Sequence, residues 1–201
     1  MNQVKEWIGT IENLSCVKRF SQCFLHKQEN VLEHSGMVSL VCLQLSTLLR
    51  KEGYEIDIEK ILTKSLIHDS EESVIGDVSK PSKYSSDELR KLFGVYEKTV
   101  AMKIFHDAGL EGVMGNWEGA KDGPEGKIIA FVDTLSAIMR FHNEIVMRGN
   151  KTMIELLSPT AFDALFGKLN KVCECYPNSK ILKEYEEFCW DVKEQITGVK
   201  I

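Results

Sequence analysis

The sequence is poor in the features that build β-proteins and disulfide scaffolds. Proline occurs four times in 201 residues, and no Asn-Gly or Asp-Gly pair sits between two alternating apolar runs, so hairpin turn chemistry is missing. The six cysteines, Cys16, Cys23, Cys42, Cys173, Cys175 and Cys189, form no Cys-x-x-Cys pair and follow no secretory leader. Reduced thiols in a cytoplasmic setting are expected, rather than a disulfide framework or a zinc knuckle. No block of like charge is long enough for a nucleic-acid tail or a polybasic anchor, and the net charge is only -5, which argues against polymeric nucleic acid and membrane surfaces as partners. The longest uncharged stretch, Ser35 to Leu49, is too short to span a bilayer and is interrupted by Gln44 and serines. There is no Gly-x-Ser-x-Gly elbow and no cysteine beside a histidine, and Gly123-Pro124-Glu125-Gly126-Lys127 is too short for a P-loop.

What is present reads as helix throughout. Hydrophobic residues make up 43% and charged residues 27%, enough apolar material for a folded core, and the length fits one domain spanning 1–201. An all-α bundle is expected. Apolar periodicity places helices over Asn2 to about Leu14, Val31 to Lys51, and from an Asp57 cap to about His68. A breaker-rich loop is predicted from Gly76 to Tyr84, then a helix from a Ser86 cap towards Ala108. The connection from Gly109 to Gly126 holds six glycines and is predicted to be mobile. Pro124 opens a helix to about Arg148, Ser158-Pro159 opens another to about Cys175, and Asn178 caps the last.

Four residues stand out because they put ionisable groups into apolar helical patterns: His34, His68, Asp69 and Asp133. Unpaired burial of such groups is costly. Two imidazoles and two carboxylates suit one divalent transition metal, Mn, Co, Zn, Ni or Fe. Neighbours on a regular helix diverge, so His68 and Asp69 converge on one ion only if the helix ends there. The plainer alternative for each residue is a surface pair or a satisfied buried polar group. Glu72 lies one turn past Asp69, where a carboxylate can deprotonate metal-bound water; its alternative is a solvated residue beside Glu71. Arg19, Lys80 and Lys83 are candidate phosphate contacts, and Phe20 a candidate stacking surface. His26, His106 and His142 lack an acidic companion at useful spacing, except for the pair His106-Asp107, which has no glutamate one turn later and is expected to be structural.

Several stretches together resemble the HD-domain phosphohydrolase superfamily, and in detail its bacterial and phage 5'-deoxynucleotidase-like branch. They are Arg19-Phe20, Glu29 to Ser35 around His34, His68-Asp69-Ser70-Glu71-Glu72, Gly76-Asp77 with Lys80 to Tyr84, and Phe131-Val132-Asp133. The resemblance implies an HD-type helical bundle, commonly a homodimer, acting on a small nucleotide. It further implies that His34, His68, Asp69 and Asp133 hold the metal, that Glu72 assists the attacking water and that Arg19 orients the phosphate. Asp77, Val78, Ser79 and Lys80 would line the sugar and phosphate site, with Asp77 accepting from the 3'-hydroxyl. Phe20 stands where that branch usually has tryptophan, the residue linked to excluding a ribose 2'-hydroxyl, and Lys80 adds a charge near the phosphate. The expected reaction is hydrolysis of deoxynucleoside 5'-monophosphates. A deoxynucleoside triphosphate triphosphohydrolase of the dATP type is the alternative on the same scaffold, and a catalytically silent nucleotide-binding domain is a third reading.

Overall fold

The computed structural model describes residues 2–157 and 160–198, and each regular element there is helical. In chain order these are α1 (Gln3–Cys16), α2 (Val31–Lys51), α3 (Ile58–Ile67), the short α4 (Glu72–Ile75) and α5 (Lys80–Lys83), and α6 (Asp87–Asp107). A 3-10 turn (Glu111–Val113) leads to α7 (Met114–Glu118), α8 (Gly123–His142) and a π-helical turn (Asn143–Met147). Helices α9 (Thr152–Leu156), α10 (Ala161–Cys175) and α11 (Lys180–Thr197) complete the bundle.

Side-chain caps set the starts of α1, α2, α3, α6 and α11. Asn30 and Glu33 form a reciprocal capping box on α2, with bonds of 2.8 and 3.2 Å. Asp57 accepts from the Lys60 N–H at 2.9 Å and Ser86 from that of Leu89 at 3.1 Å, as their positions in the sequence predict. The last helix differs: Ser179, not Asn178, caps it, accepting from Leu182. Asn178 instead takes a left-handed backbone with φ 65°, which its short polar side chain tolerates.

The core forms where α2, α8, α10 and α11 face one another. It contains Val38, Cys42, Leu45 and Leu49 of α2, Ile128, Ile129, Phe131 and Val132 of α8, Leu165, Leu169 and Val172 of α10, and Leu182, Cys189 and Val192 of α11. Each large side chain buried there contributes about 1.5–3 kcal/mol. Among the described residues, α2 is the one helix long and apolar enough to cross a membrane, but its buried face belongs to this core. A smaller cluster joins Ile67 to Val100, Ala101, Ile104 and Phe105 of α6, with Trp7 of α1 against it. Between α2 and α3 the contact is made by small residues. Ser35, Ser39, Ser46 and Ser65 are buried; Ser65 donates to the Ser39 hydroxyl at 3.0 Å, Ser39 to the Ser35 carbonyl at 2.8 Å and Ser46 to the Cys42 carbonyl at 2.6 Å. Small side chains let the two backbones approach, and that approach brings His34 and His68 together.

The glycine-rich connection carries a 3-10 turn and α7 and is tied to the bundle by side-chain bonds. Lys64 of α3 is buried and donates to the carbonyls of Gly119 (2.6 Å) and Asp122 (3.2 Å). Trp117 Nε1 donates to Glu71 at 2.8 Å, and Lys98 pairs with Glu118. Gly126 is needed for close approach, because a Cβ there would lie 2.3 Å from the Lys121 carbonyl carbon. The predicted loop from Gly76 to Tyr84 likewise contains a helical turn, α5. The Ser158-Pro159 helix start lies outside the described residues.

The helix predicted to reach Arg148 changes to π geometry at Asn143, and this turn carries Glu144, which is inaccessible to solvent. Glu144 accepts from the backbone N–H groups of His26 (2.8 Å) and Lys27 (3.2 Å), from Asn150 (3.1 Å) and from Arg140 (3.4 Å). Asn150 also donates to the Phe24 carbonyl at 2.9 Å. This clamp holds the segment after Phe20 against the bundle. Burial alone would raise the Glu144 pKa, but these donors outweigh it and hold it down at about 2. Because the folded-state value is depressed, the stabilisation exists above the unfolded value of about 4.3 and is lost as the pH falls towards 2. Urea titration of Glu144→Gln should therefore show a loss of about 3 kcal/mol at pH 7 that shrinks below pH 4; equal stability of variant and wild type at pH 7 would rule the clamp out.

Candidate metal centre

His34 sits in the first turn of α2, His68 caps the C-terminus of α3, Asp69 begins the turn that follows, and Asp133 lies on α8. The end of α3 resolves the geometric problem posed by adjacent residues: outside the regular helix, His68 and Asp69 turn to the same side. Both imidazoles are buried, with ring centroids 5.5 Å apart. His68 Nδ1 faces the Ser65 carbonyl at 2.8 Å, and His34 Nδ1 faces the Ser136 hydroxyl at 3.2 Å. A carbonyl can only accept, so His68 Nδ1 carries the proton and Nε2 presents its lone pair when the ring is neutral.

The two Nε2 atoms are buried without any hydrogen-bond partner. His34 Nε2 is 3.2 Å from Asp133 Oδ1 and 3.7 Å from Asp69 Oδ2, and His68 Nε2 is 3.2 Å from Asp69 Oδ2. These approaches lack hydrogen-bond direction. Donors about 2.1 Å from one shared ion, at tetrahedral or right angles, stand about 3.0–3.4 Å apart, so the spacing fits a common ion better than a set of pairs. Donor atoms of His34, His68 and Asp133 all lie within 4.8 Å of one another. Two imidazoles and two carboxylates, with each Nδ1 held from behind, fit a divalent metal.

Electrostatics sort the surrounding acids into two groups. Burial works against ionisation of Asp69 and Asp133, yet the neighbouring imidazoles, with Lys121 beside Asp133, hold both well below the usual carboxylate range. His68 would be lowered by burial, but Asp69 outweighs this and pushes it up to about 9. Glu72 is raised to about 10 by burial and by the charges of Asp69, Asp77 and Glu71, and its Oε2 is buried without a partner. Glu72 is thus buried rather than solvated, and Glu71 beside it is buried too and raised to about 7 by burial and Asp69, against the opposing Trp117 hydrogen bond.

The remaining expected residues fall around this centre unevenly. Asp77 comes within the field of Glu72 and accepts from the Phe20 N–H through Oδ2 at 3.2 Å, tying the α1–α2 segment to the start of α5. Phe20 has φ 53° and packs edge-on against Phe141, with the Arg19 guanidinium over its ring. Arg19 pairs with Glu29 at 2.9 Å and Lys83 with Glu97 at 2.7 Å. Val78 and Ser79 are half-buried in the segment between Asp77 and α5, with Ser79 Oγ 2.9 Å from Ser82 Oγ. Sequence reasoning missed Lys121, whose ammonium lies 2.8 Å from Asp133 Oδ2, and also Ser136 and Ser65, which hold the imidazoles. The only sequence signal for Ser136 is its place one turn after Asp133. His106-Asp107 is a surface pair: His106 faces Glu111 at 3.0 Å and Asp107 pairs with Lys103.

The family model "5'-deoxynucleotidase YfbR-like" matches residues 6–161 of the 201. Among sequence relatives, 5'-deoxynucleotidase YfbR of Escherichia coli is 25% identical over 149 residues, 72% of this chain and 75% of that protein. Among solved structures, an HD-domain phosphohydrolase from Listeria innocua superposes with a TM-score of 0.66 at 22% identity, covering 98% of this chain and 87% of the other. The HD phosphohydrolase DatZ of cyanophage S-2L, solved with dA and one catalytic Zn2+ ion, gives a TM-score of 0.54 at 19% identity, covering 94% of this chain and 96% of the other. With its family match running through all four candidate ligands, the chain belongs to the YfbR-like 5'-deoxynucleotidase family.

Proposed function

We propose that this enzyme hydrolyses deoxynucleoside 5'-monophosphates to a deoxynucleoside and inorganic phosphate, with one divalent transition metal held by His34, His68, Asp69 and Asp133. The observation that carries this is the pair of buried, partnerless Nε2 atoms facing two ionised carboxylates. The metal is Mn, Co, Zn, Ni or Fe; when bound it polarises the phosphoryl oxygen and acidifies a water. Glu72, one turn from Asp69, accepts a proton from the attacking water as its oxygen bonds to phosphorus. In the metal-free site Glu72 holds its own proton; positive charge beside Asp69 acts in the opposite direction and frees its oxygen. As the bond from phosphorus to O5' breaks, a proton returns to the leaving oxygen. Arg19 orients the phosphate, and Asp77, Val78, Ser79, Lys80 and Lys83 line the sugar and phosphate site, with Phe20 beside the deoxyribose. Asp77 Oδ2 already receives the Phe20 N–H, so contact with the 3'-hydroxyl falls to its other oxygen. We place the reaction in the cytoplasm, which the six unpaired cysteines suit, with the whole chain acting as one domain and assembling as a homodimer.

Product identity tests the substrate. Protein loaded with Mn or Co should release inorganic phosphate and deoxynucleoside from deoxynucleoside monophosphates; tripolyphosphate and deoxyadenosine from dATP, without monophosphate turnover, would replace this reading with a triphosphohydrolase. Asp69→Ala should lose both metal and activity, whereas Glu72→Gln should keep the metal and lose about 100-fold to 10,000-fold in kcat.

Metal binding should also be coupled to protons. With His68 pushed up to about 9, its Nε2 is protonated at pH 7 in the metal-free protein and must lose that proton to coordinate. Affinity should rise with pH until about pH 9 and then level off. Calorimetry in buffers of different ionisation enthalpy should show proton release at pH 7; no release there would show that His68 and Glu72 are already deprotonated in the metal-free protein.

A further inference from the structure

Three cations are candidates to meet an incoming phosphate, Arg19, Lys83 and Lys121, and their pairings differ. Arg19 is neutralised by Glu29 and Lys83 by Glu97, neither of which is a candidate metal ligand. Lys121 is paired with Asp133, its ammonium at 2.8 Å from Oδ2 while Oδ1 faces His34 Nε2. Lys121 also lies within the field of Asp69 and of Tyr84 beyond α5, and its side chain is 51% exposed. It therefore reaches from the open side of the centre to a ligand carboxylate.

Its placement is built into the fold. The buried Lys64 ammonium grips the carbonyls of Gly119 and Asp122 on either side of it. Gly126 lets the first turn of α8 close on the Lys121 backbone, where any Cβ would collide. A surface lysine free to wander needs neither device.

Charge balance indicates what this ammonium does. Asp69 and Asp133 together offset a dication, so once the metal is bound Asp133 has little charge left for Lys121. An incoming phosphate monoester brings about two further negative charges, and a cation whose own partner has just been neutralised is available to meet them. We propose that Lys121 is a further phosphate-binding cation of this centre beside Arg19, donating to a non-bridging phosphoryl oxygen of the substrate. The proposal rests on the metal site argued above and is independent of the sugar, the base and the number of phosphates.

The test uses Lys121→Gln and Lys121→Arg as Mn-loaded full-length proteins, with inorganic phosphate as the probe. Metal content is measured first, and phosphate affinity next by calorimetry without any nucleotide. Lys121→Gln should hold wild-type metal and bind phosphate about 10-fold or more weakly, with Lys121→Arg recovering most of the affinity. In turnover with whichever nucleotide the wild type accepts, the glutamine variant should raise KM. Phosphate affinity within two-fold of wild type would overturn the proposal, as would loss of metal in Lys121→Gln, which would make Lys121 a positioning residue for Asp133. A wild type that binds phosphate but leaves deoxynucleoside monophosphates intact would sink the substrate reading and leave this one standing.

Discussion

Two imidazoles held from behind, with their Nε2 atoms buried and unsatisfied, are the constraint to which the rest of the site answers. A buried polar nitrogen without a partner costs free energy, and here the cost is taken twice within one small volume. The scaffold makes this possible by fixing each ring through Nδ1, to Ser65 in one case and Ser136 in the other. It also keeps α2 and α3 close through small, buried serines. Neither ring can turn to relieve itself, so a metal is the natural partner for both.

Around that pair the acids divide by what they touch. Asp69 and Asp133 stand against imidazoles and a lysine and remain ionised despite burial. Glu72 sits deeper among like charges and keeps its proton until positive charge arrives. Environments that push neighbouring carboxyls apart in this way separate ligand from base, so one cluster of acids can hold a cation and also move a proton.

Two clamps far from the chemistry deliver the flanking residues. The π turn at the end of α8 buries Glu144, which gathers the backbone around His26 and so fixes the segment that begins with Arg19 and Phe20. Lys64 gathers the end of the glycine-rich connection and so fixes Lys121. Both use one buried charge to satisfy several backbone groups, which orders irregular chain without a long helix.

The sequence by itself determined the helical architecture and the identity of the candidate ligands. Apolar periodicity and the caps Asp57 and Ser86 are local properties, and His34, His68, Asp69 and Asp133 stand out because each interrupts an apolar pattern that is itself local. Tertiary structure decided what depends on distant chain. The ties that hold the six-glycine connection were hidden, because they come from Lys64, more than fifty residues earlier. The burial of Glu71 carried no local signal either, because its partner, Trp117, lies in that same connection. Lys121 carried no signal at all, since a lysine in a polar, glycine-rich stretch is ordinary until Asp133 is placed beside it. The sequence placed the end of α3 at about His68, and the structure ends it at Ile67, but that both side chains then meet His34 and Asp133 depends on the packing of α2 and α8.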